Sequence, residues 1–395
     1  MIKFSTSGES HGQGLLGIIE GMPAGLTIDL NLVNHDLVRR QQGYGRGGRM
    51  KIESDQAEIL AGVRNGQTLG SPIAFLIRNQ DYENWQEIMN SGDCARINEK
   101  VVKRPRPGHA DLTGAMKYNQ SDMRNILERA SARETAARVA AGAFFKALLG
   151  VFQLRVFSQV LSIGDVFARS VKIDRTNIDE LSSLMETSPL HCADKESEAS
   201  MIEAIDRARG AGESLGGSFE IAVLDPPPGL GSYVSWEQRL DSRVAAALMS
   251  IPAIKAVEIG DGVANAMTPG SVVHDELFFN QERGIYRRSN NAGGIEGGMS
   301  NGQTIWARAY MKPIPTLTKP LASLDTERWV EEKATVERSD ICAVPAAAVV
   351  GEAMMAFVLA QAFMEKFGGD NLDETGRNYA AYRDYLKREW KWEKI

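Results

Sequence analysis

The sequence predicts an α/β protein of the α+β kind: a single large domain of two similar halves, each a sheet with helices, packed about a pseudo-twofold axis. An internal echo carries this expectation. Gly62-Val-Arg-Asn-Gly-Gln-Thr68 recurs as Gly298-Met-Ser-Asn-Gly-Gln-Thr304, each followed by a strand-like run. A double arginine and a Gly-rich loop precede each copy, at Arg39-Arg40 and at Arg287-Arg288. The run Gly17 to Leu26 likewise parallels Phe219 to Leu230. With 395 residues the chain can bury a large core, as one domain or two, and 43% hydrophobic with 24% charged residues is ordinary for a soluble globular protein. No low-complexity linker separates the halves. The core is therefore expected over 1–368, with halves near 1–150 and 215–365, and a polar, helical extension over 369–395.

Taken in order, Leu15 to Glu20 reads as a strand, followed by a Gly/Pro turn and a second short strand. Asn31 to Gln41 has a helical pattern, with Asn34 or Asp36 near its start. Glu53 to Arg78 alternates like a hairpin, with turns at Arg64–Gln67 and Gly70–Pro72. Val151 to Ile173 returns to short strands, Ile178 to Gly210 to one or two exposed helices, and Gly216 to Leu224 to a strand. Trp236 to Met249 is helical, 254–310 is Gly-rich strand and loop, and Ala346 to Phe367 is a long helix ending at Gly368-Gly369. The apolar run Ile341 to Phe363 is long enough to cross a membrane. It contains Glu352 and Gln361 and is rich in Ala and Val, so a buried helix is expected instead.

The stretch from Arg104 to Gly150 carries most of the chemistry. In Arg104-Pro-Arg-Pro-Gly-His-Ala-Asp111 two prolines fix φ and remove donors, leaving a stiff loop with two guanidiniums, an imidazole and a carboxylate. Ser131-Ala132-Arg133-Glu134 then reads as a capping box that starts an Ala-rich helix. A helix start offers unpaired N–H groups to an anion, and Arg129 and Arg133 flank this one.

Elsewhere Arg39, Arg40, Arg46 and Arg49 surround glycines whose backbone can approach an anion closely. Met311-Lys-Pro-Ile-Pro-Thr316 is another proline-stiffened segment with one cation, and Arg338 precedes the last core helix. His11 lies in a Gly-rich turn, a setting more often occupied by a surface residue than by a catalyst. His35, His191 and His274 lie in bland contexts. Net charge is −6, so the basic loops form a local patch on an acidic body. They point to a polyanionic small molecule held by bidentate guanidiniums, with imidazoles as general acids. Three scattered cysteines form neither a disulfide framework nor a zinc site, and the N-terminus lacks the regions of a signal peptide. Walker, dinucleotide, HExxH and GxSxG patterns are missing.

At this point the motifs resemble the chorismate synthase family. They are Gly8-Glu-Ser-His-Gly12, Arg39-Arg40-Gln with Gly43 to Arg49, Arg104 to Asp111, Glu128 to Thr135, Gly293 to Met299, Met311 to Thr316 and Thr335 to Asp340, in register from residue 4 to about 365. The resemblance implies a β-α-β sandwich, a homotetramer, and conversion of 5-enolpyruvylshikimate 3-phosphate to chorismate and phosphate by 1,4-anti elimination. It requires reduced FMN without net redox change, supplied by an external flavin reductant with NAD(P)H as the indirect source; the monofunctional, cytoplasmic type is expected. Carried over by position, His11 protonates the departing phosphate, His109 manages the charge of the reduced flavin, and Asp340 assists proton removal. Arg40, Arg46, Arg49, Arg106, Arg133 and Arg338 hold substrate anions. Ser131, Ala132, Arg133, Ala253, Gly298, Lys312, Pro313, Ile314, Pro315, Thr316 and Arg338 contact FMN. No metal site, nucleic-acid partner or membrane is implied. Pro252 departs from the Asn or Gln that relatives often carry, and the tail beyond Phe367 is expected to exceed the family's usual length. An FMN-dependent oxidoreductase that turns over a nicotinamide is the alternative enzyme reading. A polyanion- or RNA-binding module is the non-catalytic one, disfavoured by the acidic net charge and 7% aromatic content.

Overall fold

The computed structural model describes residues 1–47, 54–169, 171, 173–337 and 339–392. Two antiparallel sheets enclose a helical layer. Strands β1 (Lys3–Ser7), β2 (Gly14–Glu20), β3 (Ala57–Ala61) and β4 (Ile73–Arg78) form the first, in the order β1-β2-β4-β3. Strands β5 (Arg155–Ile163), β6 (Gly217–Leu224), β7 (Ile254–Ile259) and β8 (Ile305–Met311) form the second, in the order β7-β8-β6-β5, with Val166–Phe167 added at the β5 edge. Read along the chain, both sheets place their first, second, fourth and third strands side by side.

The longer helices are α1 (Leu30–Gln41), α2 (Asp111–Tyr118), α3 (Arg124–Ala130), α4 (Thr135–Val151), α5 (Ile178–Thr187), α6 (Lys195–Ala211), α7 (Leu240–Met249), α8 (Val344–Phe367) and α9 (Leu372–Trp390). Helix α4 packs on β1, β2, β4 and β5, α8 packs on β5 and β6, and the two helices lie against each other. They approach tightly at Gly142, where a Cβ would sit 2.2 Å from that of Ala353.

Alternation explains the first sheet. Leu15, Ile19, Ile73, Phe75 and Ile77 face the helices, while Leu16 and Ile18 face outward. Strand β6 is buried on both faces because α5 covers its outer side through Ile178, Leu181 and Met185. Helix α8 is apolar and long enough to cross a membrane, but 89% of its most hydropathic window is buried within the fold. The buried carboxylate of this helix, Glu352, accepts from Arg39 (2.7 and 2.8 Å), Lys146 (2.5 Å) and Ser158 (2.7 Å). Asp36 completes the buried network with Arg39 and Lys146, each at 2.9 Å.

Several expectations shift. Strand β1 is an additional element, hidden in sequence by its serines and threonine, whereas the short strand expected after Gly25 is reduced to isolated bridges at Ala24 and Thr27. Helix α1 starts earlier than Asn34, because the Asp29 carboxylate caps the Asn31 N–H at 2.9 Å. The Glu53 to Arg78 hairpin carries a smaller one, Val63–Arg64 with Gln67–Thr68, at its tip. The segment after Gly369 forms α9, which docks Tyr379 and Tyr382 onto Phe152, Phe363 and Phe367.

Candidate active site

One cavity of about 720 Å³ lies at the edge of the sandwich, where segments distant in sequence converge. The first is the β1–β2 loop, which carries His11. The His11 backbone N–H donates to Glu128 Oε2 at 2.8 Å, and ring Nδ1 lies 2.9 and 3.0 Å from the two carboxylate oxygens. The ring stacks on Trp85 with centroids 4.0 Å apart. Arg124, one helical turn before Glu128 on α3, reaches it at 3.1 Å and Glu337 at 2.8 Å. Burial opposes the charge of Glu128, but the bonds from His11 and Arg124 hold its carboxyl below the usual range.

The second segment is the proline-stiffened loop. Arg106 Nε and Nη2 donate to Asp111 at 2.8 and 3.0 Å, and Nη1 donates to Thr316 Oγ1 at 2.9 Å. Asp111, fully buried at the start of α2, also takes His109 Nδ1 at 2.6 Å. Against its burial, His109 and Arg106 hold the Asp111 carboxyl well below the ordinary range. Lys312 ties the third segment to this loop through Gly108 O at 2.6 Å, and its own N–H donates to Ala253 O at 2.9 Å. Ala253 adopts φ +68°, a left-handed backbone that turns the chain between α7 and β7.

At the centre of the wall lies the expected helix start. Ser131 caps it by accepting from Arg133 N at 3.3 Å, and Ala132–Glu134 form a 3-10 turn that leads into α4. Only half of the capping box forms, because Glu134 turns to Arg138 at 2.7 Å. Arg129 is directed elsewhere, to Thr6 and Gly8 on the surface. Consecutive residues on α1 point in different directions, so Arg39 enters the core network while Arg40 reaches the cavity. Arg40 donates to Thr135 Oγ1 and Ala132 O, each at 3.0 Å. Its Nη1 is buried without a hydrogen-bond partner, with Asp55 at 3.5 Å. Burial lowers the Arg40 pKa to about 10; Arg133 and Arg46 act in the same direction, while Asp55 opposes them. Arg133 is committed to Asp55 and Asn79. Asp340 is held by Arg46 and by the Gly47 N–H, both at 2.6 Å.

The cavity thus brings together His11, His109, Asp340, Arg40, Arg46, Arg106, Ser131, Ala132, Arg133, Ala253, Lys312, Ile314, Pro315 and Thr316. Gly298 lies instead in the turn between the short strands Ile295–Glu296 and Met299–Ser300, where its carbonyl accepts from Leu240 N at 2.8 Å, and it is not in the cavity wall. Pro313 sits within its segment but outside the lining. Arg49 and Arg338 lie outside the described residues. Trp85, Asp55 and Asn79 had no local signal in the sequence. The Arg124/Glu128 pair was readable as an (i, i+4) pair.

Even with the carboxylates directly behind the wall, Asp55, Asp111 and Glu128, counted together with Glu337 and Asp340, the lysines and arginines of the lining leave two cationic charges uncompensated among the described residues. Two imidazoles, each tied through Nδ1 to a buried carboxylate, open onto the same space. Such an arrangement can bind a multiply charged anion and donate protons to it.

The chorismate synthase family profile matches residues 2–364. A chorismate synthase of Syntrophomonas wolfei subsp. wolfei is 66% identical over 395 residues, covering 100% of both chains. One of Alkaliphilus metalliredigens is 55% identical over 382 residues, covering 97% of this chain and 99% of its own. A crystal structure of chorismate synthase superposes with a TM-score of 0.80 at 43% identity, covering 98% of each chain. The family profile ends at residue 364, short of the tail, and the full-length match to the Syntrophomonas wolfei protein shows that this relative extends equally far.

Proposed function

The chain belongs to the chorismate synthase family, carbon–oxygen lyases of the shikimate pathway that act on a phosphate, and from that premise we propose that it converts 5-enolpyruvylshikimate 3-phosphate to chorismate and phosphate by 1,4-anti elimination. One C–H and one C–O bond break, a ring double bond forms, and phosphate leaves. The observation that carries this reading is Arg40 Nη1, a buried guanidinium nitrogen at the cavity wall with no hydrogen bond of its own. A buried donor without a partner costs about 1–3 kcal/mol, more when charged, and a ligand anion recovers it.

The donor set also fits reduced FMN. Ser131, Ala132, Arg133, Ala253, Lys312, Ile314, Pro315 and Thr316 would hold it, offering backbone N–H groups at a helix start and an ammonium for its phosphate and ring heteroatoms. When bound, that cofactor supplies the electron-rich partner that lets a non-acidic hydrogen depart without net redox change. The chain's own residues do the rest. Arg40, Arg46 and Arg106 orient the substrate anions, with Arg49 and Arg338 assigned to the same task from the resemblance. His11 donates a ring proton to the leaving phosphate. His109, tied to Asp111, balances the charge of the reduced cofactor. Asp340, oriented by Arg46 and Gly47, assists removal of the substrate proton. Arg133 acts through the wall it forms and through its grip on Asp55.

The reading includes two duplicated halves, which the matching strand orders of the two sheets support. It also includes a homotetramer, which follows from the family resemblance. A cytoplasmic enzyme served by an external flavin reductant, with NAD(P)H behind it, follows from the family resemblance. Replacing Arg40 with Met is expected to weaken binding of the enolpyruvyl substrate about 10- to 100-fold, as the loss of a charged hydrogen bond requires. Unchanged affinity, measured by calorimetry, contradicts the assignment.

A further inference from the structure

We propose that Glu128 is a positioning residue: it fixes His11 in the Nδ1–H form, leaving Nε2 as the ring nitrogen available to the cavity. Glu128 is 2% exposed. Its two oxygens lie 2.9 and 3.0 Å from His11 Nδ1, and one of them also accepts the His11 backbone N–H at 2.8 Å. An ionised carboxylate only accepts hydrogen bonds, so Nδ1 must carry a proton in this arrangement. Among the described residues Nε2 makes no hydrogen bond. Trp85, stacked 4.0 Å from the imidazole, blocks rotation of the ring out of this pose.

Glu128 thereby does two things for a proton donor at His11. It offsets the positive charge of the doubly protonated ring, and it ensures that the proton given up is the one on Nε2, with the Nδ1–H form left behind. Among the described residues, the charged groups against this assembly include Arg124, which bonds Glu128 and Glu337 and lies 5.2 Å from the Trp85 ring, and Lys100, which lies 5.8 Å from that ring. Arg124 anchors Glu128 from behind and does not reach Nδ1. An orienting carboxylate of this kind sets which ring nitrogen bears the proton, a detail that geometry alone decides.

The inference rests on the reading of His11 as a proton donor, so its test has a readout that does not depend on turnover. Ring-labelled histidine spectra of the ligand-free protein at about pH 9, above the ordinary imidazole value near 6.5, report the tautomer. His11 is assigned by the signal missing from His11→Gln. The native protein is expected to show the Nδ1–H form alone, and Glu128→Ala a mixture of both forms. In turnover, Glu128→Ala is expected to lower kcat about 100-fold with KM within about threefold, and Glu128→Asp to recover part of the loss. If the alanine variant does not fold, the isosteric Glu128→Gln serves. Its amide group meets the His11 backbone N–H with a donor, and it is expected to lower kcat about tenfold. A His11 that stays wholly Nδ1–H in Glu128→Ala overturns the proposal, as does a native kcat in Glu128→Gln. So does a kcat that is unchanged by Glu128→Ala while His11→Gln is impaired. Native-like turnover in His11→Gln would instead sink the proton-donor reading, and the tautomer spectra would then decide the positioning claim by themselves.

Discussion

Arg133 grips Asp55 through a single nitrogen, with Nη1 2.6 Å from one carboxylate oxygen and 2.7 Å from the other, both side chains being buried. Arg40 Nη1 approaches the same carboxylate at 3.5 Å. Among the described residues this one anion therefore serves two guanidiniums, and the wall of the cavity keeps a net positive charge. Asp55→Asn removes the negative charge that both cations share. Breaking a buried pair costs about 3–5 kcal/mol, and that loss is expected in urea unfolding. Sulfate at saturating concentration should restore part of it, since an anion that binds only the folded state stabilises it. A variant within about 1 kcal/mol of native, indifferent to sulfate, contradicts this picture.

His191 is buried, holds φ +55° and leaves Nδ1 without a hydrogen bond. Burial, and after it the neighbouring Arg39, lowers its pKa to about 4. The folded value lies below the unfolded value near 6.5, so the unfolded chain takes up a proton first as pH falls. The contribution is fully present above about pH 6.5 and is lost towards pH 4, at about 1.4 kcal/mol per pH unit. Denaturant unfolding from pH 7 to pH 5 is expected to show this decline. His191→Asn, which tolerates the left-handed backbone, should flatten it. An identical slope in the variant would assign the acid sensitivity to other groups.

Gly142→Ala sets two effects against each other. Alanine is the better helix former by about 1 kcal/mol. The added Cβ, however, would lie 2.2 Å from Ala353 Cβ and 2.6 Å from its Cα, so the backbone of α8 has to move. Overpacking of this kind costs about 1–3 kcal/mol, and net destabilisation is expected by thermal unfolding. Ala353→Gly should rescue only part of it, because the backbone of residue 353 still crowds the added methyl group. A more stable Gly142→Ala protein would mean that the helices separate easily.

The fold was legible where pattern and geometry coincide. Short apolar runs bordered by glycines placed Leu15 to Glu20 and Gly216 to Leu224, and the Ala-rich run after Ser131 placed α4. Strand β1 escaped because Lys3, Ser5 and Ser7 face outward at a sheet edge and its inner face carries only Phe4 and the polar Thr6. In the site, the loop at Arg104 to Asp111 was readable because prolines and charges sit together in sequence. Which arginines face the cavity was not, because Arg39 and Arg40 are neighbours in sequence and diverge by the helical turn. Asp55, Trp85 and Asn79 reach the site only through tertiary packing, and no local spacing marks them. Gly298 is the opposite case: its motif was conspicuous, yet the turn that holds it lies away from the cavity wall of this chain.

The lyase assignment is tested most directly by an anaerobic assay with 5-enolpyruvylshikimate 3-phosphate and chemically reduced FMN, following chorismate and phosphate together. Equal amounts of both products are expected, with flavin turning over catalytically and no nicotinamide consumed. Nicotinamide consumption without the enolpyruvyl substrate, or no chorismate from a protein that still binds FMN, would contradict it.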